Sequence, residues 1–263
     1  MSKVHQALKK AERERMISGI DMDDIDFQDI SDRSSFDEHL VSFLAPKSAA
    51  AEQYRKLRTR ISHFLDSRLR TILITSSTSQ EGKSLTAANL AITIAQGIDQ
   101  HVLLVDGDLR QPSLPKFFGL YPRYGLTDYL TGNIDLSQIL FDTGIPKLKL
   151  LPSGSPSDRS SELIASNKMR NLIQELKSRY EDRYIIIDST PIIGTDEPDI
   201  LTKQVDGVIL VVKAGKTPKE IIESTLSALN VDNVLGIVFN GLEYAVKRVN
   251  YGYYQESSQY VGE

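Results

Sequence analysis

The stretch Thr71-Ile-Leu-Ile-Thr-Ser-Ser-Thr-Ser-Gln-Glu-Gly-Lys-Ser84 decides the fold. Thr71–Thr75 is apolar and β-branched, which predicts a buried strand. Gly82, Lys83 and Ser84 match the end of the pattern G-x-x-x-x-G-K-[ST], with Ser77 standing where the first Gly falls. A helical pattern over 83–98 follows. A loop between strand and helix turns successive backbone N–H groups inward at a helix N-terminus, and that arrangement binds anions. Gly82 lets the backbone approach a phosphate, Lys83 reaches the β- and γ-phosphates, and Ser84 offers a hydroxyl to Mg²⁺. Ser79, Gln80, Glu81, Gly82, Lys83, Ser84 and Leu85 are therefore the candidate nucleotide-binding segment.

Outward from this loop, the body repeats the same alternation. Further strands are predicted at His101–Val105, Leu148–Leu151, Tyr184–Ile187, Gly207–Val212 and Leu235–Phe239, with helices at 161–180 and 217–230. Nearly every strand is apolar on both faces, the mark of strands covered on both sides. The expected fold is α/β: a P-loop NTPase with a mostly parallel, doubly wound sheet. Two more strands end on carboxylates. HVLLVDGDLRQPS places Asp106, Asp108 and Arg110 at one carboxyl end, and YIIIDSTPI places Asp188 at another. Ligands bind at such ends. A carboxylate closing an apolar run is costly unless it is solvated or partnered, and Mg²⁺ with nucleotide phosphates supplies a partner.

The chain has 263 residues, with 31 Lys+Arg, 35 Asp+Glu, four His and no Cys. Absent Cys excludes disulfides, thiolate zinc sites and iron–sulfur clusters. Residues 1–45 hold six basic and ten acidic groups, which accounts for the whole net charge of −4. The neutral remainder gives no footprint for nucleic acid. No apolar run is long enough for a membrane span, so a cytoplasmic protein is expected. Three segments are predicted. Residues 1–45 form an amphipathic helix (2–16) and acidic linker, 46–246 form the body that carries the phosphate loop and opens on a helix at 47–66, and 247–263 form a flexible tail. Five of the 11 tyrosines lie in the last 20 residues, a density that a tail without aliphatics does not need for a core.

The loop STSQEGKS, the strand LLVDGDLRQP and the strand IIIDSTPI together resemble the bacterial tyrosine autokinases (BY-kinases) of capsule and exopolysaccharide export. Asp106, Asp108 and Arg110 match that family's D-x-D-x-R motif. Asp188 opens its third motif, here with Thr190 preceding Pro191. Glu52, Arg55 and Arg58 match its E-x-x-R-x-x-R motif, and Tyr251, Tyr253, Tyr254 and Tyr260 its terminal tyrosine cluster. The family's loop often reads Pro-Gly where this chain has Ser79-Gln80, a departure that bears on loop rigidity.

The resemblance implies an ATP- and Mg²⁺-dependent protein-tyrosine autokinase. Lys83 and Arg110 would stabilise the transferring phosphoryl group. Asp106 would be the base, and Ser84, Asp108 and Asp188 the metal ligands; Asp106 and Asp108 can exchange roles on sequence grounds. Asn240, at a strand end, matches a position that touches adenine in related ATPases. Glu52, Arg55 and Arg58 would join subunits of a ring in which the tail tyrosines are phosphorylated in trans. The implied partners are other copies of the chain, a transmembrane polysaccharide co-polymerase that activates it at the membrane's inner face, and a cognate phosphotyrosine phosphatase. Two other readings compete. One is a nucleotide-switch ATPase of the septum- or chromosome-positioning kind, which usually has an additional early loop lysine that Ser77-Thr78-Ser79 lacks. The other is a non-catalytic module, which intact Lys83, Ser84, Asp106, Asp108 and Asp188 argue against.

Overall fold

The computed structural model describes residues 35–64, 69–132, 134–179, 183–229 and 232–242. The helix predicted at 2–16, the linker up to residue 34 and the tyrosines at 251, 253, 254 and 260 lie outside the described residues.

Seven strands form one sheet: β1 (Thr71–Ser76), β2 (His101–Asp106), β3 (Phe141–Asp142), β4 (Leu148–Leu151), β5 (Arg183–Asp188), β6 (Gly207–Lys213) and β7 (Val234–Asn240). Their order is β3-β4-β2-β5-β1-β6-β7. All neighbours are parallel except β3, which pairs antiparallel with β4. The described helices are α1 (Val41–Leu44), α2 (Ala49–Phe64), α3 (Lys83–Ala95), α4 (Leu114–Phe117), α5 (Leu126–Thr131), α6 (Ser160–Ala165), α7 (Asn167–Arg179), α8 (Glu197–Thr202) and α9 (Lys219–Leu229).

The continuous apolar runs have the predicted cause. Every residue of β1, β4 and β5 is buried. Side chains alternate between two cores, as a period of two requires. Ile72, Ile74, Leu104, Ile186 and Ile209 pack on the α3 side with Phe43, Leu90 and Ile94. Leu73, Leu103, Val105, Ile185 and Ile187 pack on the other side with Leu126, Ile164, Met169 and Leu176. Eleven of the 13 residues of α3 are buried. It is therefore an internal helix, covered in turn by α1 and α2 rather than by water.

Two differences from the expectations have local causes. The helix read over 161–180 is two helices, because Ser166 is extended (φ −63°, ψ 151°) and its Oγ accepts the Met169 N–H at 3.1 Å. A serine in that role starts a new helix. Residues 36–44, read as the end of the acidic linker, lie on α3. Leu40 and Phe43 are buried, and the Phe36 and Phe43 rings stand 5.0 Å apart. The Ser42 N–H donates to Asn89 Oδ1 at 2.9 Å, and Asn89 Nδ2 to the His39 carbonyl at 3.0 Å. This strap fixes the outer side of the helix that carries the phosphate loop.

Candidate active site

The order β2-β5-β1 brings three strand ends side by side. The loop after β1 therefore faces the carboxylates that close β2 and β5. Asp106 and Asp188 are register partners, so two carboxyls stand on one face, toward the start of α3.

Inside the loop, Gly82 has φ +90° and precedes the first turn of α3. A Cβ there would fall 1.9 Å from Asn240 Nδ2. That amide donates to the Glu81 carbonyl at 2.9 Å. Asn240, at the end of β7, thus lies against the loop backbone. Glu81 itself points inward and is buried. Its Oε2 accepts the Thr78 N–H at 2.8 Å, while Oε1 accepts the Thr217 hydroxyl and, at 3.3 Å, the Lys213 N–H. These bonds tie the loop to the turn after β6. Gln80, where the resembled family often has Gly, adopts φ +62°, a left-handed conformation costly for a side-chain-bearing residue. Ser79 and Gln80 are exposed at the rim, and Leu85 packs partly into the core.

Lys83, Ser84, Asp106, Asp108 and Asp188 meet in one cleft. Lys83 Nζ lies 2.8 Å from Asp108 Oδ2, 3.9 Å from Asp188 Oδ2 and 3.3 Å from Ser84 Oγ. Burial works against the Lys83 charge, but Asp188 and Asp108 outweigh it and hold the ammonium above its ordinary range. Burial pushes the Asp188 carboxyl up to about 6, against the pull of Lys83. Burial, reinforced by the Asp188 charge, raises Asp106 well above a surface carboxyl. Asp106 Oδ2 accepts the Ser113 and Leu114 N–H groups at 3.2 and 3.1 Å, which anchors α4, while its Oδ1 is buried and unpaired. Asp108 Oδ1 accepts the Gln111 N–H at 2.9 Å. Neither oxygen of Asp188 takes a hydrogen bond of regular geometry.

Buried carboxylate oxygens without a hydrogen-bond partner beside a phosphate loop fit a hard divalent cation. Among the described residues no three acidic or His side chains converge to chelate a metal unaided. Mg²⁺ keeps waters and takes only one or two carboxylates plus substrate phosphates.

Arg110 points to the side of the cleft. Its Nε donates to Ser160 Oγ at 2.9 Å and to Glu197 Oε1 at 2.8 Å, and its Nη2 to Ser161 Oγ at 3.1 Å. Glu197 is wholly buried. Sequence reasoning passed over it, because DEPDI reads as a polar helix start and its partner lies 87 residues away. The predicted interface residues sit on α2. Arg55 Nε donates to Glu52 Oε2 at 2.8 Å, and Arg58 Nη1 donates to the Thr93 carbonyl of α3 at 2.9 Å.

No protein-family model matches the chain. It is 35% identical over 224 residues, 84% of this chain and 93% of that protein, to the tyrosine-protein kinase YwqD of Bacillus subtilis. It is 32% identical over 202 residues, 74% of this chain but 25% of that protein, to the succinoglycan biosynthesis transport protein ExoP of Rhizobium meliloti. Among solved structures it resembles the kinase domain of the Escherichia coli tyrosine kinase ETK, with TM-score 0.73 and 26% identity over 81% of this chain and 84% of that one. Of the competing sequence readings, these likenesses favour the kinase over the nucleotide switch. The phosphate loop, the paired strand-end carboxylates and 35% identity to YwqD over 93% of that protein agree: the chain belongs to the bacterial tyrosine-protein kinases.

Proposed function

We propose that this kinase phosphorylates its own C-terminal tyrosines, Tyr251, Tyr253, Tyr254 and Tyr260, in trans within a ring of identical subunits. The observation that carries the reading is the convergence at the phosphate loop of Lys83 with Asp108 at 2.8 Å and Asp188 at 3.9 Å, and of Asp106 as the register partner of Asp188. The loop N–H groups and Lys83 hold the ATP phosphates. The phenol oxygen of tyrosine forms a bond to the γ-phosphorus as the bond to the β–γ bridging oxygen breaks, and ADP leaves. The phenol proton passes to a carboxylate. Asp106 suits that role, since burial gives its carboxyl a proton affinity closer to that of a phenol. Ser84, Asp108 and Asp188 would hold Mg²⁺, which supplies positive charge to the phosphate oxygens. Lys83, now paired with Asp108, turns to the transferring group, where its charge stabilises the transition state. Asn240, at the end of β7, whose amide donates to the Glu81 carbonyl, is the proposed adenine contact.

From Lys247 to Tyr260 an extended chain spans at most about 45 Å, enough to enter a neighbouring subunit's cleft. Glu52, Arg55 and Arg58 on α2 are the proposed subunit contact. Each phosphate adds about −1.5 to −2 charges, so three or four would outweigh the chain's −4 and loosen the ring. That cycle would couple the kinase to exopolysaccharide polymerisation and export, in keeping with the likeness to the succinoglycan biosynthesis transport protein ExoP. A transmembrane co-polymerase would recruit the chain to the inner membrane face, and a phosphotyrosine phosphatase would reset it. No described helix is long and apolar enough to cross a membrane.

The test mixes a donor whose four tail tyrosines are Phe with an acceptor carrying Lys83→Met. Tail phosphorylation of the acceptor, dependent on donor concentration, supports transfer in trans. A silent acceptor beside an unaltered chain that labels itself contradicts it.

A further inference from the structure

Arg110 is held in an unusual way for a residue assigned to a transferring phosphate. The Nε–Nη2 edge of its guanidinium is turned into the protein, where Glu197 Oε1 and the hydroxyls of Ser160 and Ser161 take it. Its Nη1 forms no hydrogen bond among the described residues, and the side chain is 44% exposed while that of Glu197 is fully buried. Glu197 Oε1 also accepts both serine hydroxyls, Ser161 at 3.0 Å. Its Oε2 faces the Thr190 hydroxyl at 3.5 Å, two residues beyond Asp188. Thr190 is fixed from the sheet in turn, because its carbonyl accepts the Thr75 hydroxyl at 2.8 Å. One carboxylate thus joins the loop after β2, the start of α6 and the loop after β5.

Burial opposes the Glu197 charge, yet the Ser160 hydroxyl and Arg110 overcome it and hold the carboxyl down at about 2. A buried carboxylate that stays ionised needs partners of this kind. Its Arg gains a fixed direction, since a guanidinium gripped along one edge cannot rotate without breaking bonds at both nitrogens. Such preorganisation raises the rate when the held group meets charge that develops only in the transition state.

We propose that Glu197 is a positioning residue of the kinase: with Ser160 and Ser161 it clamps one edge of Arg110, so that the Nη1 edge is presented to the transferring phosphoryl group. The inference rests on the proposed phosphoryl transfer and on the role beside the transferring group that the family resemblance implies for Arg110. Glu197 itself touches neither nucleotide nor tyrosine.

The experiment measures three quantities on the full chain: ADP release with ATP and Mg²⁺, the KM for ATP, and the melting temperature. The variants are Arg110→Ala, Glu197→Gln and the double substitution; a further pair is Ser160→Ala with Ser161→Ala, alone and with Arg110→Ala. Arg110→Ala should slow turnover about 100-fold, the scale of losing one preorganised donor. Glu197→Gln keeps the shape but not the charge and should cost about 10-fold in kcat, with KM for ATP within about twofold. The double variant should be no slower than Arg110→Ala alone, because a clamp has no function once its cargo is gone. The serine pair should behave likewise and reads the clamp if Glu197→Gln fails to fold. Losses that multiply in the double variants, a Glu197→Gln enzyme at full rate, or a matching rise in KM would overturn the proposal. So would an Arg110→Ala enzyme at full rate. ADP is released whichever acceptor, tail tyrosine, other phenol or water, takes the phosphoryl group, so a chain that shows the coupling but leaves its tail unlabelled refutes the tail assignment and not the clamp.

Discussion

Replacing Asp188 with Asn should stabilise the protein while abolishing its chemistry. Asp188 is fully buried at the end of β5, and burial lifts its carboxyl from 3.8 to about 6 despite the Lys83 ammonium 3.9 Å away. An acid with a raised folded-state pKa keeps its proton longer in the folded protein than in the unfolded chain. Between about pH 4 and pH 6 the folded state therefore binds the extra proton, and stability falls as pH rises through that window. Above it the penalty is constant. A shift of about two units corresponds to about 3 kcal/mol. Asn cannot ionise, so Asp188→Asn should gain nothing near pH 4 and about 3 kcal/mol at pH 8. For a chain of this size that is a rise in Tm of about 6–12 °C. Relief of the like charge on Asp106, which Asp188 raises, acts in the same direction. Lys83 keeps Asp108 at 2.8 Å and is not orphaned. The assay is thermal unfolding of both proteins in chelator-treated buffer at several pH values. Adding Mg²⁺ with ADP should then stabilise the unaltered chain more than the variant. Equal Tm at pH 8, or a gain that is the same at pH 4 and pH 8, would refute the reasoning.

Other substitutions probe the loop and the assembly. Gln80→Gly should stabilise by about 0.5–1 kcal/mol, since φ +62° strains a side-chain-bearing residue by more than the entropy that Gly brings; an unchanged or lower Tm would contradict it. Gly82→Ala places a Cβ 1.9 Å from Asn240 Nδ2 at φ +90°, so the amide must leave its bond to the Glu81 carbonyl. Nucleotide affinity should fall at least about tenfold in calorimetry, the scale of one strained, displaced contact. Arg55→Ala with Arg58→Ala should convert a ring to smaller species by light scattering; Arg58 also holds the Thr93 carbonyl at 2.9 Å, so a small loss of Tm should accompany it. Unchanged mass would dispose of α2 as the subunit contact.

The core of the fold was legible because its signals are local. Ile72 to Ile74 and Ile185 to Ile187 are apolar on consecutive positions, which only a sheet covered on both faces explains. Asp106 and Asp188 stood out because each closes such a run, with Asp108 two residues on, and the strand order set them beside Lys83. What escaped depends on distant partners. Residues 36–44 carry acidic neighbours that mask Leu40 and Phe43, whose burial rests on α3 some fifty residues later (Asn89 to His39 is a separation of 50). The break at Ser166 came from a hydroxyl cap inside an otherwise helical pattern. Glu197 read as surface charge until Arg110, Ser160 and Ser161 surrounded it. The short edge strand Phe141–Asp142 carries too few residues to show any period.

The central claim is phosphoryl transfer from ATP to tyrosine by the cleft between the phosphate loop and the ends of β2 and β5. Incubation of the purified chain with γ-labelled ATP and Mg²⁺, followed by mass-spectrometric mapping, tests it most directly. Phosphate on Tyr251, Tyr253, Tyr254 and Tyr260, absent in Lys83→Met, is the predicted result. Release of ADP and inorganic phosphate with no tyrosine modified would contradict it.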